Sequence, residues 1–281
     1  MLPDSDPSTR ALILSQTGNK AGRALTALPT GPEFKLSPLR KNVLLRRRLR
    51  LPLPLGPRRC NGASGRAQLD RYGDHWAACH LSGRLKRRAM PIENTVARIF
   101  REAGAVVHRN QKLAHMQLPG VQARDRREIE VVASHLRLYH GMPIVCDVTL
   151  VSPIQANGQP RPRAAVAPGG VAIADIEETK CRKYPELVRS ETCKFLILAG
   201  EVGGRWSDTT CQLLRDLAKE KSQSAPPRLR RSTAFAWENR WWGMLSVAAQ
   251  YAFTATFVDD APHLLHAWEG SDPPLGVLLH G

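Results

Sequence analysis

Two acidic residues in the middle of the chain lie within strongly apolar segments. Glu130 follows Arg126-Arg127-Glu128-Ile129, and Asp147, seventeen residues later, interrupts the run from Ile144 to Val151. An ionised acid inside a buried strand is unfavourable unless it is paired, hydrogen-bonded or bound to a metal. Two such acids on neighbouring strands repel each other, and a hard divalent cation relieves that repulsion. The pattern therefore indicates a site for Mg²⁺ or Mn²⁺ at Glu130 and Asp147.

These residue types suit the hydrolysis of a phosphodiester bond. A divalent ion at the two acids would polarise the scissile phosphate and lower the pKa of a bound water, while a lysine would stabilise charge in the transition state. Lys180 and Lys183, three residues apart on one face of a predicted helix, are the candidates for that lysine. A second interpretation stays open at this point: Asp147 is a buried acid that caps a loop, and both lysines are solvated.

The elements that must position these residues indicate an α/β domain over residues 90–258. In chain order, the predicted elements are a helix at 91–103, strands at 105–107, 128–133 and 144–151, a helix at 173–184, a strand at 194–202, and helices at 209–221 and 233–257. In the strand at 128–133, Glu128 and Glu130 point to one side while Ile129 and Val131 point to the other.

Basic residues are concentrated before this domain. The 281-residue chain has 41 Lys and Arg against 25 Asp and Glu, but residues 35–101 alone hold 17 basic and 3 acidic residues. Such a local field attracts polyanions, because neutralising phosphates releases condensed counterions. A solubilising or nuclear-targeting segment is the alternative interpretation. The residues predicted to bind nucleic acid are Arg46, Arg47, Arg48, Arg50, Arg58, Arg59, Lys86, Arg87 and Arg88.

The segments outside the domain are predicted to be less regular. Residues 1–45 combine Pro, Ser, Thr and Gly with little periodicity, which predicts a disordered arm. Prolines between Leu44 and Gly56 predict an extended connector within a basic linker and Cys/His module at 46–89, and residues 259–281 form a tail. No apolar run reaches the roughly 18 residues that span a bilayer, and no signal peptide is evident, so we expect neither secretion nor membrane insertion.

Several motifs, taken in order, resemble a known family. They are the segment from Leu69 to Cys79, Arg-Glu-Ile-Glu-Val-Val at 127–132, Cys-Asp-Val-Thr-Leu-Val-Ser-Pro at 146–153, Lys-Cys-Arg-Lys-Tyr at 180–184, and the segments at 198–206 and 241–248. Over about residues 44–256, the chain resembles the C-terminal part of non-LTR retrotransposon polyproteins, closest to the retroelement-derived reading frames of some protists. There a cysteine-histidine zinc knuckle precedes a restriction-endonuclease-like domain of the PD-(D/E)XK type.

The resemblance implies a mixed sheet flanked by helices and a metal-dependent DNA endonuclease that nicks a target site. Glu130 would take the first acidic position and Asp147 the second. The first acid of the family is usually an Asp preceded by Pro, so Glu128 stays a candidate beside Glu130. The lysine expected two residues after the second acid is Thr149, so that role would pass to Lys183 or Lys180.

Two further positions have alternative interpretations. Glu93 is either an accessory metal ligand or a first-turn partner of the helix dipole. The knuckle implies zinc ligands at Cys60, His75 and Cys79, but Arg58 occupies the place of the first cysteine of the family pattern. Because structural zinc takes four ligands, either His80 or Asp74 completes the set or the module has lost tight zinc binding and folds by packing its aromatic residues.

The expected partners are DNA and the RNA of the element, and the expected location is the nucleus. The rival from another functional class is a catalytically inactive, retroelement-derived nucleic-acid-binding protein. A third interpretation is a host-domesticated adaptor that binds another protein through the apolar C-terminal helix.

Overall fold

A four-stranded mixed sheet lies at the centre of the protein. The computed structural model describes residues 5–18, 20–53, 59–60, 69–166 and 169–258, with the side chains of Lys86 and Arg87 excepted. The strands are β1 (Val106–Lys112), β2 (Glu128–Ser134), β3 (Ile144–Val151) and β4 (Lys194–Glu201). They lie in the order β1-β2-β3-β4, with the first two pairings antiparallel and the pairing of β3 with β4 parallel. The expected mixed α/β sheet flanked by helices is confirmed.

Helices surround this sheet. In the described ranges they are α1 (Pro7–Leu14), α2 (Arg23–Thr26), α3 (Pro38–Arg48), α4 (Asp74–Ala78), α5 (Arg84–Ala103), α6 (Val171–Lys183), α7 (Pro185–Val188), α8 (Asp208–Ser222) and α9 (Arg230–Val258). Short 3-10 turns occur at Pro32–Phe34, His80–Ser82, Leu113–His115, Leu138–Gly141 and Pro227–Leu229. Within this described part, no helix has both the length and the apolar character needed to cross a lipid bilayer.

Each face of the sheet is covered by a different set of helices. α5 packs on β1, β2 and β3, α8 packs on β4, and α9 packs against both α5 and α8. The core on this side includes Phe100, Val131, Cys146 and Leu198. α6 and α7 cover the opposite face over β3 and β4. The two acidic candidates on β2 and β3 therefore lie between two packed layers.

The long C-terminal helix α9 packs against many other elements of the fold. From Trp241 onward its apolar residues are not confined to a single stripe, and this part of the helix is largely buried. Trp241, Trp242, Phe253 and Phe257 are each at most 2% exposed. Besides α5 and α8, the helix contacts α2, α3 and α4. Most of the apolar surface of α9, which suggested a protein-binding adaptor, is therefore buried inside the fold.

The pairing of β2 with β3 ends just before the acidic residues. The paired residues are Val131 with Cys146, Val132 with Val145, and Ala133 with Ile144. β3 continues its parallel pairing with β4 as far as Val151. β2 and β3 therefore separate at Glu130 and Asp147. From Asp147 onward, β3 has no paired residue in β2.

The predicted elements of the α/β domain are confirmed, with one shifted start. β3 has the predicted bounds, and the other strands agree within a few residues, apart from β1, which runs on to Lys112 as an edge strand with alternating exposure. α5 begins at Arg84 rather than at Pro91, so the proline lies inside the helix. The earlier start places Arg88 in line with the buried Ile92 and Val96, and this burial outweighs the proline penalty.

The expectation of a disordered arm over residues 1–45 is wrong for the residues described there, 5–18 and 20–45. Asp6 caps the start of α1, and its side chain accepts hydrogen bonds from the backbone of Ser8 and Thr9. Ser37 caps α3 by accepting a hydrogen bond from the backbone of Arg40. Each cap is followed by proline at the first helical position, a strong start signal despite the weak apolar periodicity. α3 buries Val43 and Leu44 and packs on α9.

The connector prediction is also wrong in part. The helix α3 continues to Arg48, so residues 44–48 are helical and the chain is irregular only after them. Residues 54–58 and the predicted tail at 259–281 lie outside the described residues.

Candidate functional site

Lys180 and Asp147 form an ion pair between α6 and β3. The Lys180 ammonium nitrogen, Nζ, lies 2.6 Å from each carboxylate oxygen of Asp147 and donates a hydrogen bond to Oδ2. The Asp147 side chain has no exposed surface, whereas the lysine is 17% exposed. Both oxygens of this buried carboxylate are thus in contact with the ammonium group. The pair therefore places a cation directly against a buried acid.

Glu130 is the second acid of this site. Glu130 precedes Val131 on β2 and Asp147 follows Cys146 on β3, so both acids adjoin the last paired residues of the two strands. Burial, followed by repulsion from Asp147, raises the pKa of Glu130 to about 7, although Lys180 acts in the opposite direction. Its Oε2 atom is also buried without a hydrogen-bond partner. A buried, unsatisfied oxygen of Glu130 and the buried carboxylate of Asp147, on adjacent strands, have the chemistry of a hard-cation site.

Glu93 of α5 approaches the same group of charges from the other side of the sheet. Burial raises its pKa; Arg109 lowers it, the charge of Asp147 raises it further, and Lys180 lowers it. Arg109 of β1 holds Glu93 through an Nη2 to Oε2 contact of 3.0 Å. Because α5 begins at Arg84, Glu93 lies in the middle of the helix, and its interpretation as a first-turn dipole partner is wrong.

The structure brings Lys180, not Lys183, to Asp147. Lys183 is exposed, and its ammonium nitrogen lies 4.6 Å from the centre of the Tyr184 ring. On β2, Glu128 is likewise exposed while Glu130 is partly buried next to Asp147. Of the alternatives that the sequence left open, Glu130 and Lys180 are the ones that share a site with Asp147.

Sequence reasoning missed two residues that border this site. Tyr184 is fully buried, and its hydroxyl donates to the backbone carbonyl of Glu128 at 3.2 Å. Burial, then the charges of Asp147 and Glu130, raises the pKa of Tyr184. Arg109, the partner of Glu93, is the second. The sequence Val-Val-His-Arg-Asn-Gln-Lys of β1 has no alternation of apolar and polar residues, so it carried no signal for Arg109, which the structure places on the inner side of the edge strand.

Cys60, His75 and Cys79 form a separate group that could hold a metal such as zinc. Their ligand atoms all lie within 4.8 Å of one another, and no other set of three His, Cys, Asp or Glu side chains in the described residues does so. The two sulfur atoms are 3.7 Å apart. The Nδ1 atom of His75 bonds to the carbonyl of Ala156 at 2.8 Å, while its Nε2 atom is buried without a partner. An unpartnered ring nitrogen beside two thiols fits a thiophilic ion.

Neither substitute proposed for a fourth ligand joins that group. His80 is exposed. Asp74 is buried and engaged by two arginines, with contacts of 2.6 Å from Arg47 and 2.7 Å from Arg50. Burial would raise the pKa of Asp74, but these guanidinium groups hold it below its usual value. Asp74 thus serves an ion-pair cluster rather than the metal.

The prediction of a nucleic-acid-binding basic segment is wrong for Arg47 and Arg88. Both side chains are buried. Arg47 donates hydrogen bonds to Asp74 and to the Tyr72 carbonyl, and Arg88 donates to two backbone carbonyls. A guanidinium enclosed in this way cannot reach a phosphate. The sequence analysis assigned all these arginines to one basic segment, because a count of charges does not reveal which side chains are buried.

The remaining predicted basic residues have mixed positions. Arg48 donates to the carbonyl of Gly203 at 2.8 Å, Arg50 is paired with Asp74, and Arg46 bonds to Asn42. Arg59 is exposed. Arg58 and the side chains of Lys86 and Arg87 lie outside the described residues.

Comparison of the sequence with protein-family models gave no match, and comparison with curated proteins gave none either.

Proposed function

We propose that this protein is a metal-dependent DNA endonuclease with a restriction-endonuclease-like fold and a retroelement origin, which nicks DNA at a target site. The observation that carries the proposal is the meeting of Glu130, Asp147 and Lys180 at the point where two strands part. The mixed sheet with helices on both faces and the order of the motifs support it. DNA is the proposed substrate, the RNA of the element is a second proposed partner, and the nucleus is the proposed location.

Glu130 and Asp147 would hold the metal. Glu130 offers a buried carboxylate oxygen that accepts no hydrogen bond, and Asp147 offers a fully buried carboxylate. Oxygen ligands of this kind suit Mg²⁺ or Mn²⁺. When bound, the ion supplies Lewis-acid polarisation of a phosphate oxygen and neutralises charge. The protein side chains supply the remaining requirements.

Lys180 and Glu130 have complementary proton and charge properties. Lys180 is a donor within hydrogen-bond distance of Asp147 and partly open to solvent, so its ammonium group can turn to a phosphate oxygen and stabilise the charge that develops there. Glu130, with its pKa near 7, exchanges its proton close to neutral pH. Binding of the divalent ion at Glu130 therefore requires the loss of this proton.

A plasmid-nicking assay tests the proposal. Supercoiled DNA is incubated with the full chain and Mg²⁺ or Mn²⁺, and the relaxed product is measured with time. Wild type is expected to produce nicks that chelation abolishes, and Asp147→Asn is expected to lower the rate at least about a hundredfold. Glu178→Gln, which removes an exposed carboxylate of α6, is the matched control. Equal rates for wild type and Asp147→Asn would refute the assignment.

The second candidate is an inactive nucleic-acid-binding protein of the same origin. Two departures from the family pattern favour it: Glu130 in place of the usual Asp, and Thr149 in place of the usual Lys. This candidate predicts DNA binding without metal-dependent nicking.

A further inference from the structure

The region of Cys60, His75 and Cys79 is connected to β3, the strand that carries Asp147, and to the turn that follows it. Arg88 makes the first connection. Its Nη1 atom donates to the carbonyl of Ala77 at 3.0 Å, and its Nη2 atom donates to the carbonyl of Leu150 at 2.7 Å. Ala77 lies in α4 between two of the three candidate ligands, and Leu150 follows Asp147 by three residues on β3.

Arg88 connects these elements where the sheet itself does not. From Asp147 onward, β3 has no paired residue in β2. The guanidinium is only 5% exposed and lies beside this unpaired part of the strand. A cavity of about 200 Å³ continues from it, lined by α5, by β3 and by Ile176 of α6, one helical turn before Lys180. The end of β3 therefore depends on a side chain that also holds α4.

His75 makes the second connection. Its Nδ1 atom bonds to the carbonyl of Ala156, in the turn that follows β3. That turn is closed by backbone bonds between Gln155 and Gln159 and between Gly158 and Gln155, with Gly158 at φ +80°. In metal sites, a histidine commonly donates its second ring N–H to a carbonyl, which fixes the tautomer and orients the ring. Here that arrangement leaves Nε2 free to bind a metal.

We propose that a metal ion bound by Cys60, His75 and Cys79, which are not part of the cleavage site, holds that site in position. The ion would fix α4, and α4 would then hold the end of β3 through Arg88 and the turn at 155–159 through His75. Arg88 and His75 are positioning residues in this scheme. Its link to cleavage rests on the proposed function, whereas the coupling between the metal group and β3 does not.

Amide hydrogen exchange of the full chain, with and without Zn²⁺, tests the coupling directly. Zn²⁺ is expected to slow exchange in peptides around residues 60–80 and, in addition, in peptides covering 147–161. Protection confined to residues 60–80, or failure of the chain to bind Zn²⁺, would overturn the proposal. Because this comparison uses one protein in two states, it does not depend on a variant that folds.

A pair of glycine variants tests the connection through His75. Gly158→Val strains the turn that presents the Ala156 carbonyl, and it alters no ligand and no acidic residue. Gly141→Val is the matched control, since Gly141 also has φ +80° and an added Cβ would meet open space at both positions. We expect Gly158→Val to weaken Zn²⁺ binding by about 10- to 100-fold and Gly141→Val to leave it unchanged. Equal Zn²⁺ affinity in all three proteins would contradict the proposal.

The nicking assay separates this inference from the proposed function. Zn²⁺-dependent protection at 147–161 without any nicking would uphold the coupling and refute the endonuclease. Nicking by Gly158→Val at the wild-type kcat and KM, in a protein that otherwise cleaves DNA, would refute the positioning role. Nicking lowered in Gly158→Val but not in Gly141→Val would support both.

Discussion

Lys180 of α6 lies 2.6 Å from both carboxylate oxygens of Asp147, and the pair joins a helix to the central strand of the sheet at a point where β2 no longer pairs with β3. Asp147 has no exposed surface, so the lysine is its main source of positive charge. Glu130 adds negative charge on the neighbouring strand. The site thus has more acid than its own lysine neutralises, which is the condition that a divalent cation satisfies.

Removal of the lysine should destabilise the protein more than removal of the acid. Lys180→Met leaves Asp147 buried without a counter-charge, and we expect a loss of about 3 kcal/mol in the free energy of unfolding. Asp147→Asn also breaks the pair, but it relieves the repulsion on Glu130, so the expected loss is about 1 kcal/mol. Urea unfolding of the two variants measures the difference. A larger loss for Asp147→Asn would contradict the view that Asp147 is a buried, charged acid that depends on Lys180 as its counter-charge.

The pH dependence of stability should carry a contribution from Glu130. Its pKa is raised from an ordinary value of 4.5 to about 7 in the folded protein by burial and by Asp147. Between these values the folded state binds more protons than the unfolded state, so the contribution of Glu130 is present below about pH 4.5 and is lost as the pH rises through 7.

The variant Glu130→Gln isolates this contribution, because other titrating groups, including the buried Glu201, remain in both proteins. Relative to wild type, Glu130→Gln should gain up to about 3 kcal/mol in the free energy of unfolding between pH 4.5 and 7.5. Urea unfolding across this range measures it. Parallel pH profiles of the two proteins would mean that Glu130 titrates normally.

Two arginines of the basic segment should respond oppositely to mutation. Arg59 is exposed, so Arg59→Ala should reduce the slope of log K against log salt by about one for a labelled DNA duplex. Arg47 is buried against Asp74, which keeps Arg50 as a partner, so Arg47→Ala should leave the slope unchanged and lower the free energy of unfolding by about 2–3 kcal/mol. Fluorescence anisotropy and urea unfolding provide the two measurements. An altered salt slope in Arg47→Ala, with normal stability, would contradict the buried assignment.

Deletion of residues 1–58 should destabilise the whole fold. The deletion removes α3, whose buried Arg47 lies over the Phe253 ring of α9, and it removes the bond from Arg48 to Gly203. A disordered arm would instead leave the remaining domain intact. Near-ultraviolet circular dichroism and urea unfolding of the truncated chain decide between the two. Wild-type spectra and a wild-type unfolding midpoint would show that the N-terminal helices are dispensable.

Local signals in the sequence were sufficient for the sheet and for the two central acids. β3 was predicted to the residue, because a continuous apolar run stops at Ser152-Pro153. The proximity of Glu130 and Asp147 follows from antiparallel pairing of consecutive strands. The choice between Lys180 and Lys183 could not be made, since residues three apart on a helix point in similar directions and small differences in orientation decide which one reaches the acid.

Long-range partners explain what the sequence did not reveal. Arg47 is buried because Asp74 lies 27 residues away in the chain and beside it in space. Arg88 is buried because carbonyls of α4 and β3 converge on it. α3 is held by packing on α9, and α1 by a bond from Ser8 to the Gly158 carbonyl, although their start signals at Asp6-Pro7 and Ser37-Pro38 were present in the sequence. Local composition describes neither kind of contact.

The most direct test of the central claim compares nicking rates among variants of the two pairs of candidates, Lys180 with Lys183 and Glu130 with Glu128. Wild type, Lys180→Met, Lys183→Met, Glu130→Gln and Glu128→Gln are assayed on supercoiled DNA with Mg²⁺, after unfolding curves establish that each is folded. We expect Lys183→Met and Glu128→Gln to cleave like wild type, and Lys180→Met and Glu130→Gln to lose at least about a hundredfold in rate. Equal rates in all five proteins, or loss at Lys183 and Glu128 instead, would contradict the account.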